Sequence, residues 1–332
     1  MKKKVVYIML LVLILPLVCF AQSDYGTLSS DKKMQHLKRF LTGYQEDLKE
    51  IEEREEKIFA IKDMSQIISY FLEEPDMPAM LQALNFLLLS ISPEFWEFWG
   101  NEDTKIADDI AQVYLKVIKH KNPIIHLYGI VSLEEIKDDI QRSEGWQYDN
   151  DIPFLKKIVE AIQEKHVLSV QDKEFIKQYK ECYAYFLPIF QEKKGEVIDA
   201  AGLTAVFEKA DPSVQFFLVF RIATTIGWLP NEKLRKEAIK AVTQLEDKGD
   251  VYVKGYILVH ITGNEERVNA FLRNSIDPDI FITVAEFLNS RNMFLTLESW
   301  PDGNNLDTFF SKASSIQRGL LLKFIQDTMN DN

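Results

Sequence analysis

The chain has 332 residues, with 39 basic and 51 acidic side chains, a formal charge of −12, and 46% hydrophobic content. Thirteen glycines and eleven prolines are too few for a low-complexity or collagen-like chain, and the apolar content supports a large packed core. The acid excess, with no face rich in Lys and Arg beyond mixed clusters such as Lys233 to Lys240, argues against a binder of nucleic-acid phosphates.

The first predicted element is an export signal over 1–21. Lys2, Lys3 and Lys4 precede an apolar run from Val5 to Val18, and Cys19 and Ala21 stand at the −3 and −1 positions of a small-residue cleavage site. Fourteen apolar residues fall short of the roughly 17–25 that a spanning helix needs. Bacterial lipoprotein signals place a cysteine after the apolar run, which gives Cys19 a second reading as a lipid anchor. Val18 is too bulky for the residue that precedes such a cysteine, so cleavage after Ala21 is expected, with membrane attachment only if Cys19 is lipidated. The destination is then the periplasm or the extracellular space. The mature chain carries 36 basic and 51 acidic residues, a formal charge of −15, which serves the solubility of an exported protein.

After a linker over 22–30, a long amphipathic helix is predicted over 31–72. Leu37, Leu41, Tyr44, Leu48, Ile51 and Ile58 recur at spacings of three and four, and the stripe then shifts to Ile61, Met64, Ile67, Ile68 and Phe71. Its charged outer face, Glu46 to Lys57, fits a coiled-coil arm, whereas the shifting stripe fits a helix laid against the domain that follows. Glu74-Pro75-Asp76-Met77-Pro78 ends it.

From 79 to 330 the sequence reads as a series of shorter helices. Ser92-Pro93, Asn122-Pro123, Asp211-Pro212 and Asp277-Pro278 place a capping side chain before a proline, and Asn231 and Asn264 cap without one. Strand signals are nearly absent; Val251 to Val259 is rich in β-branched residues but fits a buried helix equally well. Pro93 and Pro123 are 30 residues apart, and Pro212 and Pro278 are 66, about one and two helix-turn-helix units. The openings Asn122 to Val131 and Asp277 to Leu288 resemble the Asp/Asn-Pro helix starts of HEAT-type repeats, without that family's regular Arg and Val/Ala positions. Tetratricopeptide repeats are the rival, but their Trp, Leu-Gly, Tyr and Ala positions do not recur at 34 residues. The resemblance implies an all-α fold of irregularly stacked helical hairpins, an α-solenoid, behind the long N-terminal helix.

Two aromatic clusters are the candidate partner surface. Phe95, Trp96, Phe98 and Trp99 fill four of five consecutive positions, more than one face of a short helix buries, and Trp146 and Tyr148 lie in a loop beside acids. A wedge buried between repeats explains the first cluster better than a partner contact does. Once the signal is removed, Cys182 is the one cysteine left, so an intramolecular disulfide is excluded, and helical spacing beside Tyr179, Tyr183 and Phe186 reads it as a small buried hydrophobe. His36, His120, His126, His166 and His260 show no His-Glu-x-x-His spacing, so no metal is expected. Nucleophile elbows, phosphate loops and calcium-loop spacing are also missing, and with them any expected cofactor or catalytic residue. These features together predict an exported scaffold or assembly factor that binds a protein partner in the cell envelope, and no enzyme. Two alternatives stand beside it: an all-helical hydrolase acting on a polymer through a carboxylate pair, and a structural subunit of an envelope complex.

Overall fold

Asn122 shows how the chain writes its helices. Its Oδ1 accepts from the backbone N–H of Ile124 at 2.9 Å, and Pro123, which has no N–H to leave orphaned, opens the next helix. The same device recurs where Asp211 caps at Ser213, Asn231 at Lys233 and Leu234, Asn264 at Arg267 and Asp277 at Asp279. A computed structural model describes residues 28–60, 64–73, 103–143, 152–190, 197–229, 231–291, 293–301 and 303–330. No strand forms among them. Val251 to Val259, ambiguous in sequence, is helical: Asp250 caps it through Tyr252 and Val253, and it passes into a π-helix, Ile257–Thr262. The export signal over 1–21 lies outside the described residues, as do Ser92-Pro93 and the breaks at Gly145 and Gly195.

Two compact units divide the chain: Met1–Glu55 with Leu258–Asn332, and Glu56–Ile257. The first described helix that lies wholly within the second, middle unit is α3 (Met64–Glu73), which packs on α4 (Asp103–Ile118). Residues 119–122 turn α4 back into α5 (Pro123–Ser143), and α6 (Ile152–Gln163) packs on both. Gly129 lets this hairpin close, because a Cβ there would lie 2.8 Å from Ile118 Cγ1 and 3.0 Å from Val117 Cγ1. After α7 (Val170–Tyr183) come the short α8 (Leu187–Phe190) and α9 (Ala200–Phe207).

The centre of the middle unit is α10 (Pro212–Trp228). Val214, Phe216, Phe217, Leu218, Val219, Phe220 and Ile222 are all buried, on every side of the helix, as an enclosed helix requires. It contacts α5, α7, α11 (Glu232–Thr243) and α12 (Val251–Tyr256). Phe217 meets Tyr128 edge-on at 5.8 Å, and Phe216 meets Tyr256 in the same way at 5.5 Å.

Both ends of the chain build the first, terminal unit. It holds α1 (Leu28–Gly43), the first part of α2 (Gln45–Ala60), α13 (Glu265–Arg273), α14 (Pro278–Ser290), a 3-10 turn at Leu297–Ser299, α15 (Gly303–Lys312) and α16 (Ser315–Asn330). The long helix expected over 31–72 is thus three helical segments, the first two separated by Tyr44 alone, with the i to i−4 bonds carried across by Tyr44 N and Leu48 N. Leu37, Phe40 and Ile51 are buried, and α1 packs on α16, so this stripe is covered by the last helices of the chain. Among the described residues, α3, with Ile68 and Leu72 buried, packs on α4. Phe40 stacks on Phe310 with ring centroids 4.0 Å apart, and ion pairs join Arg39 to Asp307, Asp47 to Arg318 and Glu55 to Lys323. The partners rise together in number, so the two ends run parallel. Trp300, fully buried, donates from Nε1 to Thr328 Oγ1 at 3.2 Å and tilts against Phe281.

Candidate functional site

The four aromatic residues of the candidate partner surface, Trp96, Trp99, Trp146 and Tyr148, lie outside the described residues. The helix ends that carry them are described. Trp99 precedes Asp103, the first residue of α4, by four positions, and Trp146 follows Ser143, the last of α5, by three. Because α4 and α5 form an antiparallel hairpin, these two ends lie at the same end of it. Helices of 16 and 21 residues from a common turn leave the α5 end about 7 Å beyond the α4 start.

One polar cluster of the middle unit was not legible in sequence. Glu135 on α5 and Arg221 on α10, 86 positions apart, form an ion pair with Nη2 2.6 Å from Oε2, and Tyr179 on α7 donates to Glu135 Oε1 at 3.1 Å. Tyr114, Tyr128 and Tyr179 are buried, and burial pushes each phenol well above its ordinary range, with Glu135 adding to it. Tyr183 moves the same way for the same reason. Burial works against the Arg221 charge, but Glu135, Tyr179 and Tyr128 more than offset it, so the guanidinium is held more firmly protonated than usual. The tyrosines are therefore neutral phenols, and they and Arg221 are held away from the neutral range where a general acid or base works best. Its charges are spent on each other. What it does is tie α5, α7 and α10 together through one carboxylate.

A second polar site lies at the other end of the α4–α5 hairpin. His126 Nε2 meets Asp172 Oδ1 at 2.8 Å, and His166 Nε2 stands 3.9 Å from Asp172 Oδ2. Asp172 is also the N3 residue of a capping box, accepting from Ser169 N at 2.8 Å while its own N–H goes to Ser169 Oγ at 3.1 Å. Burial opposes its charge, yet the bonds from Ser169 and His126 hold its carboxyl below the usual range. The Ser169-x-x-Asp172 spacing was a signal readable from sequence; its histidine partners were not.

His120 and His260 have structural settings. His120 Nε2 lies 2.9 Å from the Leu72 carbonyl, and its Nδ1 accepts from Asn122 N. His260, in the π-helix, lies edge-on to Phe287 with Nε2 3.5 Å from Ser290 Oγ, and burial, with Arg291 second, pushes its ring down to about 3. Cys182 is buried, as expected, and burial followed by Glu181 lifts its thiol to about 11, away from thiolate chemistry. Among the described residues no three His, Cys, Asp or Glu side chains form a group that could hold a metal ion, and no helix is long and apolar enough to cross a membrane.

No protein-family model matches the chain, and no curated protein or solved structure matches it either. Its described residues define an all-helical protein.

Proposed function

We propose that this protein is an exported scaffold or assembly factor that presents an irregular, HEAT-like α-solenoid surface to a protein partner in the cell envelope. The reading is supported above all by the α4–α5 hairpin, which brings the attachment points of both tryptophan-bearing segments to one of its ends. Trp99 and Trp146 are each within about 15 Å of chain from those points, so Trp96, Trp99, Trp146 and Tyr148 can meet one partner together. Part of the packing in the middle unit agrees with it: α4 touches α5 and α6, and α5 touches α6 and α7, as in stacked hairpins, whereas α10 reaches back to α5 and α7 as well as on to α11 and α12. Export follows from the signal over 1–21, with the partner sought outside the cytoplasm.

Site-specific photo-crosslinking in the native host tests the proposal. A crosslinking side chain at Trp96 or Trp146 should each yield the same adduct of defined mass, and one at Lys236, on the exposed face of α11, should not. Trp96→Ala with Trp99→Ala should remove the adduct formed from position 146. Equal adducts at all three positions, or none at either tryptophan, would overturn it.

A further inference from the structure

Three polar atoms of the middle unit are buried with no hydrogen-bond partner among the described residues: Tyr114 Oη on α4, Ser132 Oγ on α5 and Arg221 Nε on α10. The register of the α4–α5 hairpin brings the first two together. Gly129 lies against Ile118, so Tyr114, four residues back on α4, is level with Ser132, three residues on along α5. Arg221 reaches the same place from α10. Tyr128, Ser132 and Glu135 follow one another on one face of α5 at spacings of four and three, and the guanidinium that bonds Glu135 also acts on the buried phenols of Tyr114 and Tyr128. Ser132 is near enough to the Tyr128 phenol to act on it, yet closes no hydrogen bond, the separation at which a bridging water is to be sought.

A buried polar atom without a partner costs a chain about fivefold or more in its folding equilibrium, so three of them gathered beside one ion pair point to a common partner. Its chemistry follows from what they offer. The Arg221 Nε–H only donates, whereas the two hydroxyls donate or accept, so the partner accepts at least one bond and exchanges the others. An anion would meet the Glu135 carboxylate and a cation the Arg221 guanidinium, which leaves a neutral oxygen. Tyr114 and Tyr128 are fully buried and Ser132 is 4% exposed, a setting that fits a water molecule and closes the site to a sugar or other larger alcohol.

We propose that Tyr114, Ser132 and Arg221 hold an internal water, which fastens α4 to the Glu135–Arg221 pair. The tie through α5, α7 and α10 then extends to a fourth helix. The site belongs to the folded middle unit and stands apart from the partner reading above.

Substitution has opposite signs for a hydrated and a dry site. In the hydrated site, Tyr114→Phe and Ser132→Ala each remove a bond to the water, and each should lower the folding equilibrium constant of the purified full chain about fivefold, as read from urea unfolding. In a dry site each would remove a bare hydroxyl and leave the constant unchanged or raised. The double variant should lose less than the product of the two single losses, because both act through the same water. A crystal structure of the unaltered protein, which depends on no variant folding, should show a single oxygen peak within about 3.2 Å of both Tyr114 Oη and Ser132 Oγ. Single variants as stable as the parent, losses that multiply independently, an empty position in the density or a larger molecule there would each overturn the proposal.

Discussion

A Cβ on Gly319 would sit 3.1 Å from the carbonyl carbon of Asp47, closer still to its oxygen and equally close to Ile51 Cγ1, so α16 lies directly on the backbone of α2 and on its Ile51 side chain. The Asp47 carboxylate then reaches over to Arg318, one residue earlier, at 2.6 Å, and Arg318 lies 5.1 Å from the Tyr44 ring. Close approach, ion pair and cation–π contact are one junction between the two ends of the chain.

Gly319→Ala separates two opposing effects. Alanine gains about 1 kcal/mol of helix propensity over glycine, while forcing a methyl against a fixed backbone carbonyl costs about 1–3 kcal/mol. The collision is with the Asp47 carbonyl, which cannot swing aside, as well as with the Ile51 side chain, so a net loss of up to about 2 kcal/mol is expected, seen as reduced exchange protection of α16 and an earlier urea transition. A variant as stable as the parent would show that the helices can part.

Arg221→Met leaves Glu135 without its cation, with side-chain exposures of 18% for Arg221 and 30% for Glu135. The expected cost is about 2–3 kcal/mol, below the figure for a fully buried pair because water reaches both groups. Adding Glu135→Gln removes the stranded charge, so the double variant should be more stable than the single one. Urea midpoints for the four proteins of the cycle give the coupling, and strict additivity would mean that the pair holds nothing.

Stability should fall in acid through His260. The folded ring resists protonation until about 3, whereas the unfolded ring takes a proton near its ordinary 6.5. As pH drops below 6.5 the unfolded chain binds more protons, and stability declines by up to about 1.4 kcal/mol per pH unit down to the folded value; above 6.5 this contribution is constant. Between about pH 7.5 and about pH 5 the loss from this residue should be about 2 kcal/mol. His260→Gln should flatten that part of the profile, as read from urea midpoints across the range.

Processing is expected after Ala21. Protein recovered from the envelope should begin at Gln22 on N-terminal sequencing, with an intact mass lacking any acyl chain, and Cys19→Ser should leave both unchanged. A lipid-modified Cys19 as the first residue would instead place the protein on a membrane surface.

Local chemistry is legible in the sequence. Asn122, Asp211, Asn231, Asn264 and Asp277 cap the helices they precede, since a cap is chemistry within three residues. Cys182 is buried beside Tyr179 and Phe186 because a 3.6-residue period alone determines which side chains share its face. Periodicity also marked Leu37 and Ile51 as apolar, but a stripe does not say what covers it, and its cover at Phe310 and Gly319 is some 270 positions away. Glu135 and Arg221 gave no signal for the same reason: each is an ordinary charge on an amphipathic helix until α5 and α10 are side by side. Tyr44 interrupts the first helix after Gly43, where the charge pattern continues as though unbroken.

The parallel seating of α1 and α2 on α15 and α16 sets an order of events in time. A chain made from its first residue has Leu37, Phe40 and Ile51 ready about 260 residues before Phe310 and Gly319 exist. At about 5–20 residues per second the earliest helices wait tens of seconds for their cover, with an apolar stripe open to water throughout. The terminal unit is therefore the last thing this protein can finish, whatever the middle unit has done, and a chain cut short before α16 leaves its own beginning unburied.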